Sequence, residues 1–237
     1  MIALILNSGL GRRMGSLTNN APKCMTKITS EETILSRQLK QIAAIGIKNT
    51  VITTGAFDTD IKNYCNAAKL PMTYSFAYNP VYAETNYIYS IYLAKELLND
   101  DILLMHGDLV FDDSILELVV NSCESCMTVS SEIPLPEKDF KAVVDDDKII
   151  KVGIEFFENA VAAQPLYKFL HEDFKIWLKQ IIHFCENGKT NCYAENALNE
   201  VTNLINLRLL DIKNKFCAEI DTLQDLEFVK SILGGNS

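Results

Sequence analysis

The 237-residue chain has no apolar run that approaches the roughly 20 residues needed for a membrane-spanning helix. Its opening residues, Met1-Ile2-Ala3-Leu4, lack the basic stretch of a secretory signal. A cytoplasmic protein without membrane insertion is therefore expected. Basic charge is scarce, with 22 Lys and Arg against 31 Asp and Glu and a formal net charge of -9, so an extended nucleic-acid surface, which needs a basic stripe, is excluded as a function class. A polyanionic ligand must be met by local charge and a metal ion. The three histidines, His106, His171 and His183, have no triad-like context and are read as structural. Seven cysteines make an odd count spread through apolar segments, which fits reduced core thiols better than a disulfide framework. Cys123-Glu124-Ser125-Cys126 has metal-site spacing, yet no second Cys or His pair stands near it, so zinc is not expected.

With 48% hydrophobic residues, the chain can bury a full core. Ile2 to Leu6, Thr50 to Thr54, Met72 to Phe76 and Ile102 to Met105 read as buried strands. Ile34, Leu35, Leu39, Ile42 and Ile45 recur at helical spacing until Gly46, and Ile61, Tyr64 and Ala68 repeat the pattern after Asp58 as a candidate cap. Strands separated by helices imply parallel βαβ units with ligands at the carboxyl ends of the strands. Beyond Cys126 the rhythm changes. Phe140 to Val144 and Ile149 to Val152 read as a hairpin across an acidic turn, and Phe174, Trp177, Leu178, Ile181 and Ile182 mark a helix. A second helix is expected over Ala197 to Leu204, strands over Leu207 to Ile212 and Phe216 to Ile220, and a closing helix from Leu223 to Leu233 before a polar tail, Gly234-Gly235-Asn236-Ser237.

The most informative stretch is Asn7-Ser8-Gly9-Leu10-Gly11-Arg12-Arg13-Met14, directly behind the first strand and followed by Pro22-Lys23. Glycines in a loop that leaves a buried strand let backbone N–H groups approach an anion, and Arg13 and Lys23 add positive charge. The third glycine of the dinucleotide fingerprint is replaced by Met14, and no Gly-Lys-Ser/Thr follows, so neither common glycine motif applies.

This G-L-G-x-R-M…P-K order resembles the signature loop of nucleotidyltransferases. Asn79-Pro80-Val81-Tyr82-Ala83-Glu84-Thr85-Asn86-Tyr87-Ile88-Tyr89-Ser90 is similar to a segment of bacterial cytidylyltransferases of the choline-phosphate and 2-aminoethylphosphonate type. The resemblance runs from Met1 to about Leu233 and is strongest before Asp112. It implies a three-layer α/β/α nucleotidyltransferase fold, Rossmann-like with a mostly parallel central sheet and a small antiparallel acceptor-binding portion. Residues 1–237 are then one domain, with a nucleotide-binding half over 1–125, an acceptor-binding half over 126–220 and a closing helix over 221–233. The implied reaction joins CTP to a phosphorylated or phosphonylated small amine and releases pyrophosphate. An enzyme making nucleotide sugars and a catalytically silent nucleotide-binding regulator are the rival readings. A second copy of the chain is a candidate partner.

Transfer at phosphorus brings two anions together, and Mg²⁺ with one or two carboxylates is the usual means of neutralising them. Asp108 follows a buried strand at Met105-His106-Gly107-Asp108 and is the first candidate ligand. By itself Asp221 reads first as a helix cap; the resemblance, in which the family carries an aspartate before its last helix, makes it the second candidate ligand. Asp112 and Asp113 read as the cap and first turn of the next helix. Lys23, Arg13 and Asp108 form the expected catalytic set, Lys23 on the α-phosphate and Arg13 on the leaving pyrophosphate. Nucleotide contacts are expected from Asn7, Ser8, Gly9, Leu10, Gly11 and Arg12, and from Thr85, Asn86 and Ser90 at the base. Tyr87, Tyr89 and Tyr92 also read as packing residues. For the acceptor, the resemblance implies aromatic walls and a carboxylate around an ammonium. Phe140, Phe157, Tyr167 and Tyr193 are candidates for the walls and Glu195 for the acid, with Ala194 standing where a tryptophan is expected.

Overall fold

The computed structural model describes residues 1–234, so the tail residues Gly235, Asn236 and Ser237 lie outside the described residues. Chain order is β1 (Ile2–Leu6), α1 (Ile34–Ala44), β2 (Asn49–Thr54), α2 (Asp58–Ala67), β3 (Thr73–Tyr78), α3 (Tyr87–Ala94), β4 (Ile102–His106), β5 (Leu109–Phe111), α4 (Asp113–Asn121) and β6 (Cys126–Ser130). There follow β7 (Lys141–Asp145), β8 (Lys148–Gly153), β9 (Ala160–Phe169), α5 (His171–Glu186), α6 (Ala194–Leu198), β10 (Arg208–Asp211), β11 (Cys217–Glu219) and α7 (Leu223–Gly234). The main sheet has the order β3-β2-β1-β4-β9-β6-β10-β8-β7. Its first four strands are parallel; β9 then runs antiparallel to both β4 and β6, and β7 and β8 form the expected hairpin.

The alternation of β1 explains the layers. Leu4 and Leu6 face one core with Ile88, Ile91, Trp177 and Leu198 from α3, α5 and α6. Ala3 and Ile5 face the other with Leu39 of α1, Ile61 of α2 and Ile115 of α4. A strand buried on both faces reads as a continuous apolar run, which is why periodicity found it. Trp177 is fully buried, 4.8 Å from the Phe169 ring, with its indole N–H donated to the Ala194 carbonyl at 3.1 Å.

Three local expectations are corrected. Asp58 is not the cap of α2; Phe57 occupies that position, and the Asp58 carboxylate accepts from Thr54 Oγ1 and Lys62 instead. Asp112 does precede α4, but its side chain makes no cap and takes the Phe216 N–H. The helix expected over Ala197 to Leu204 starts and ends early, at Ala194–Leu198, because Asn199 turns back to bond both the N–H and the C=O of Val152.

A two-stranded ribbon of β5 and β11 stands apart from the main sheet, with Glu219 opposite Leu109 and the Ile220 N–H on the Asp108 carbonyl at 3.1 Å. A third apolar cluster seals it to the first loop: Met14 and Ile28 pack with Val110, Ile220, Leu226 and Val229. Met14 is fully buried, so it anchors the glycine loop while its neighbours Arg12 and Arg13 remain exposed.

Gly107, just past the end of β4, lies against the end of β1 and the first loop residue Asn7. A Cβ there would lie 1.8 Å from Asn7 Oδ1 and 2.6 Å from the Leu6 carbonyl, which no rotamer of Asn7 relieves. Gly107→Ala is expected to lower unfolding free energy by about 1–3 kcal/mol, the usual cost of forced overpacking. At Gly9 an added Cβ meets nothing within 4 Å, so Gly9→Ala should change stability by less than about 0.5 kcal/mol; urea denaturation of both variants checks the contrast.

Candidate active site

The carboxyl ends of β1 and β4, the first loop and the ribbon together surround a cleft of about 410 Å³. At its centre, Lys23 Nζ donates to Asp108 Oδ2 and to Asp221 Oδ1, both at 2.6 Å. Arg13 adds a second cation on Asp221 Oδ1 at 2.9 Å. Burial opposes the charge on Lys23, but the two carboxylates outweigh it and hold the ammonium above its ordinary pKa. Burial likewise opposes ionisation of Asp108, and Lys23 and His106 overcome it, so that its pKa is lowered. Gly11 sets the reach of the lysine: at φ +62° it turns the loop, and its Cα lies so near Lys23 that an added Cβ would come within 3.0 Å of the Lys23 Cβ.

Asp221 does not cap α7. Thr222 does that work, its Oγ1 taking the Asp225 N–H at 3.3 Å, while Asp225 Oδ2 reciprocates by accepting the N–H groups of Asp221 at 3.0 Å and Thr222 at 2.7 Å. The Asp221 carboxylate is thereby left to face Lys23 and Arg13. Asp108 Oδ1 is buried without a hydrogen-bond partner. An orphaned carboxylate oxygen, beside two others that already converge on one cation, fits a hard divalent ion by charge and by donor type. His106, Asp108 and Glu219 also offer ligand atoms within 4.8 Å of one another.

His106 is not a satisfied core histidine. Its Nδ1 is paired with Glu219 Oε1 at 2.9 Å and its Nε2 is buried without a partner. Burial lowers the histidine pKa, yet the Glu219 carboxylate more than reverses this and the ring is held protonated well above its usual range. Burial and the nearby Asp108 raise the Glu219 carboxyl. Above this pair sits a set of rings: Tyr87 lies 5.1 Å from His106, and Phe140 lies 5.0 Å from Tyr193 and 6.3 Å from His106.

From the first loop, Asn7, Ser8, Gly9, Gly11, Arg12 and Arg13 line the cleft, joined by Lys23, Thr85 and Asn86. Leu10 does not line it. Ser90 is buried one layer behind, 2.7 Å from Ser8 Oγ. Among the acceptor candidates, Phe140 and Tyr193 line the cleft, whereas Tyr167 and Glu195 are fully enclosed. Glu195 accepts from the Tyr87 and Tyr167 hydroxyls, the latter at 2.8 Å, and so stands behind the rings rather than in the cleft where it was expected as the acid. Burial and that carboxylate keep both phenols far above their ordinary pKa, as neutral donors. Phe157 lies under the Lys141 ammonium, 4.1 Å from it, and outside the cleft. Tyr89 and Tyr92 stack on each other along α3 as packing residues, while Tyr87 is part of the cleft. Sequence reasoning missed Glu219; the one available signal was its position two residues before Asp221, at the end of the short strand β11.

All seven cysteines are free, and among the described residues no cysteine joins a metal-ligating group. No helix among the described residues is long and apolar enough to cross a membrane.

Residues 3–139 match the MobA-like NTP transferase domain. The CTP:phosphoglutamine cytidylyltransferase of Campylobacter jejuni is 24% identical over 96% of this chain and 98% of its own length. The CMP-5'-(3-aminopropyl)phosphonate synthase of Streptomyces rubellomurinus is 29% identical over 129 residues, which is 54% of this chain and 20% of that protein. The solved structure of the CTP:phosphocholine cytidylyltransferase of Streptococcus pneumoniae superimposes with a TM-score of 0.78 at 20% identity, covering 98% of this chain and 99% of the other. A glycine loop behind β1, an anchoring methionine, a lysine between two aspartates and a matched family over more than half the chain agree with one another: the chain belongs to the MobA-like NTP transferase family and is a nucleotidyltransferase.

Proposed function

We propose that this enzyme transfers CMP from CTP to a phosphorylated or phosphonylated small amine, with release of pyrophosphate. The observation that carries this reading is the adjacency of two unlike sites in one cleft. The Lys23–Asp108–Asp221 cluster suits phosphate and its counter-ion, and the Tyr87–Phe140–Tyr193 rings beside the Glu219 carboxylate suit an ammonium. A bifunctional acceptor, with an anionic end directed at the nucleotide phosphates and a cationic end at the rings, fits both. The relatives that act on phosphoglutamine, phosphocholine and an aminopropylphosphonate support the same class.

In this mechanism an acceptor oxygen attacks the α-phosphorus of CTP, and the bond from that phosphorus to the bridging oxygen breaks, its electron pair leaving with pyrophosphate. Mg²⁺ held by Asp108 and Asp221 would neutralise the phosphate charges and align them. Lys23 stands between those carboxylates, 2.6 Å from each, and its ammonium would turn to an α-phosphate oxygen of the bound nucleotide, where charge grows during transfer. Arg13, largely exposed and reaching Asp221 from the rim, meets the leaving pyrophosphate bidentately. The first-loop backbone N–H groups cradle the phosphates, and the rings with Glu219 hold the acceptor amine so that its phosphate end points at the α-phosphorus.

Pyrophosphate release from each of four NTPs, against phosphocholine, aminoethylphosphonate, phosphoethanolamine, an amino-acid amide phosphate and sugar 1-phosphates, tests the reading. CTP with an amine-bearing acceptor is the expected active pair, and activity confined to sugar 1-phosphates overturns it.

Lys23→Ala is expected to lower turnover by about 100- to 1000-fold. Two carboxylates left facing each other also repel, so the metal-free variant should be less stable than the wild type, and added Mg²⁺ should raise its melting temperature more than it raises that of the wild type. Asp221→Asn should abolish most turnover and cost about 1 kcal/mol of metal-free stability, because the aspartate is held by Lys23 and Arg13. Stability unchanged by that substitution would return Asp221 to a passive role. Glu219→Gln is expected to raise KM for an amine-bearing acceptor about tenfold, with KM for CTP little changed, since one charge-assisted contact is worth that much; an equal rise for amine-free acceptors removes Glu219 from the pocket.

A further inference from the structure

We propose that Asn79 is a positioning residue that fixes the hydrogen-bond polarity of the nucleobase pocket, leaving the Thr85 hydroxyl able only to accept from a ligand and so favouring the 4-amino group of cytosine over the 4-oxo group of uracil. This deepens the cytidylyl reading and rests on it, with the base taken to lie against Thr85 and Asn86, which line the cleft.

The orientation of the Asn79 amide follows from its backbone neighbour. Asn79 is 1% exposed, and its Oδ1 receives the Val81 N–H at 3.0 Å. A backbone N–H can only donate, so the oxygen is assigned without ambiguity and the NH₂ group must point the other way. Its two protons go to Thr85 Oγ1 at 3.0 Å and Ser90 Oγ at 3.1 Å. Each hydroxyl has one proton and two lone pairs, and each now spends a lone pair on Asn79. Thr85 spends its proton as well, donating to the Val81 carbonyl at 3.0 Å. One lone pair remains, on a residue that lines the cleft.

Its neighbour Asn86 is polarised in the opposite sense. Asn86 Oδ1 accepts the Tyr87 N–H at 2.8 Å, by the same logic leaving the amide protons for a ligand. The pocket therefore offers an acceptor at Thr85 beside a donor at Asn86. Along its pairing edge cytosine has a single donor, the 4-amino group, next to the N3 acceptor; uracil presents a 4-oxo acceptor next to an N3 donor. In one and the same pose the first matches both protein groups and the second opposes both. Ser90 passes the order to the phosphate loop, since its hydroxyl is 2.7 Å from that of Ser8.

The test is direct binding of CTP and UTP in the presence of Mg²⁺, by titration calorimetry, to the wild type, Thr85→Val, Thr85→Ser and Asn79→Ala, with each variant's fold checked by urea denaturation. The wild type should bind CTP at least about tenfold more tightly than UTP. Thr85→Val, which keeps the shape and removes the acceptor, should lose about tenfold in CTP affinity and little in UTP affinity; Thr85→Ser should restore the ratio. Asn79→Ala should narrow the ratio through CTP. A purely structural asparagine would weaken both nucleotides equally, and that result overturns the role given to Asn79. A CTP preference that survives in Thr85→Val overturns the polarity argument while leaving the cytidylyl reading intact. A wild type without preference for CTP overturns that reading itself. Thr85 is half-exposed on a turn, so its variants remain informative even where Asn79→Ala does not fold.

Discussion

The pairing of β5 with β11 is the constraint on which the site depends. Three residues from the middle of the chain meet three from its end, and the register sets Glu219 opposite Leu109 and Ile220 against the Asp108 carbonyl. Asp108 and Asp221 thus flank the same ribbon, and their carboxylates come together although the chain separates them widely. Bringing two anions to one point is unfavourable unless a cation stands between them. Lys23 supplies it, and Arg13 helps. The ribbon cannot close comfortably without the glycine loop, and the loop has no fixed place without the ribbon, because Met14 buries itself against Val110 and Ile220.

That arrangement resolves an apparent conflict between overall charge and function. A chain of net charge -9 repels triphosphates at long range, yet the cleft spends its cations internally, neutralising its own carboxylates. Under the proposed mechanism a divalent ion would take over the carboxylates that Lys23 now pairs, leaving the ammonium free for phosphate. Two simultaneous carboxylate contacts, the raised pKa of Lys23 and the orphaned Asp108 oxygen are three aspects of one poised charge balance.

Much of the fold was legible because β1, β2 and β4 are buried on both faces and their helices are amphipathic. The turn of the glycine loop was legible at Gly11, whose φ of +62° is a conformation that glycine takes readily. Legibility fell where tertiary contacts decide. Asp58 looked like a cap but was claimed by Thr54 and Lys62. Asp221 by itself read first as a cap, and only the reciprocal bonds between Thr222 and Asp225 free it from that duty. His106 read as structural because its partner, Glu219, is 113 residues away, a separation that no local pattern bridges.

The two glutamates of the acceptor side show most clearly what a linear sequence withholds. Glu195 opens a helix beside a tyrosine and has the composition of an exposed pocket acid; Glu219 sits on a short strand with no distinguishing neighbours. Folding exchanges their expected places. β9 brings the Tyr167 hydroxyl and α3 the Tyr87 hydroxyl onto Glu195, satisfying it completely behind the rings, whereas the ribbon carries Glu219 to the floor of the cleft. A buried carboxylate that only receives hydrogen bonds still projects its charge through the rings that cover it, so Glu195 strengthens the negative face that Tyr87 presents to a cation. Two carboxylates therefore stand at two depths beside the same rings: Glu219 on the cleft, paired with the His106 ring, and Glu195 behind Tyr87.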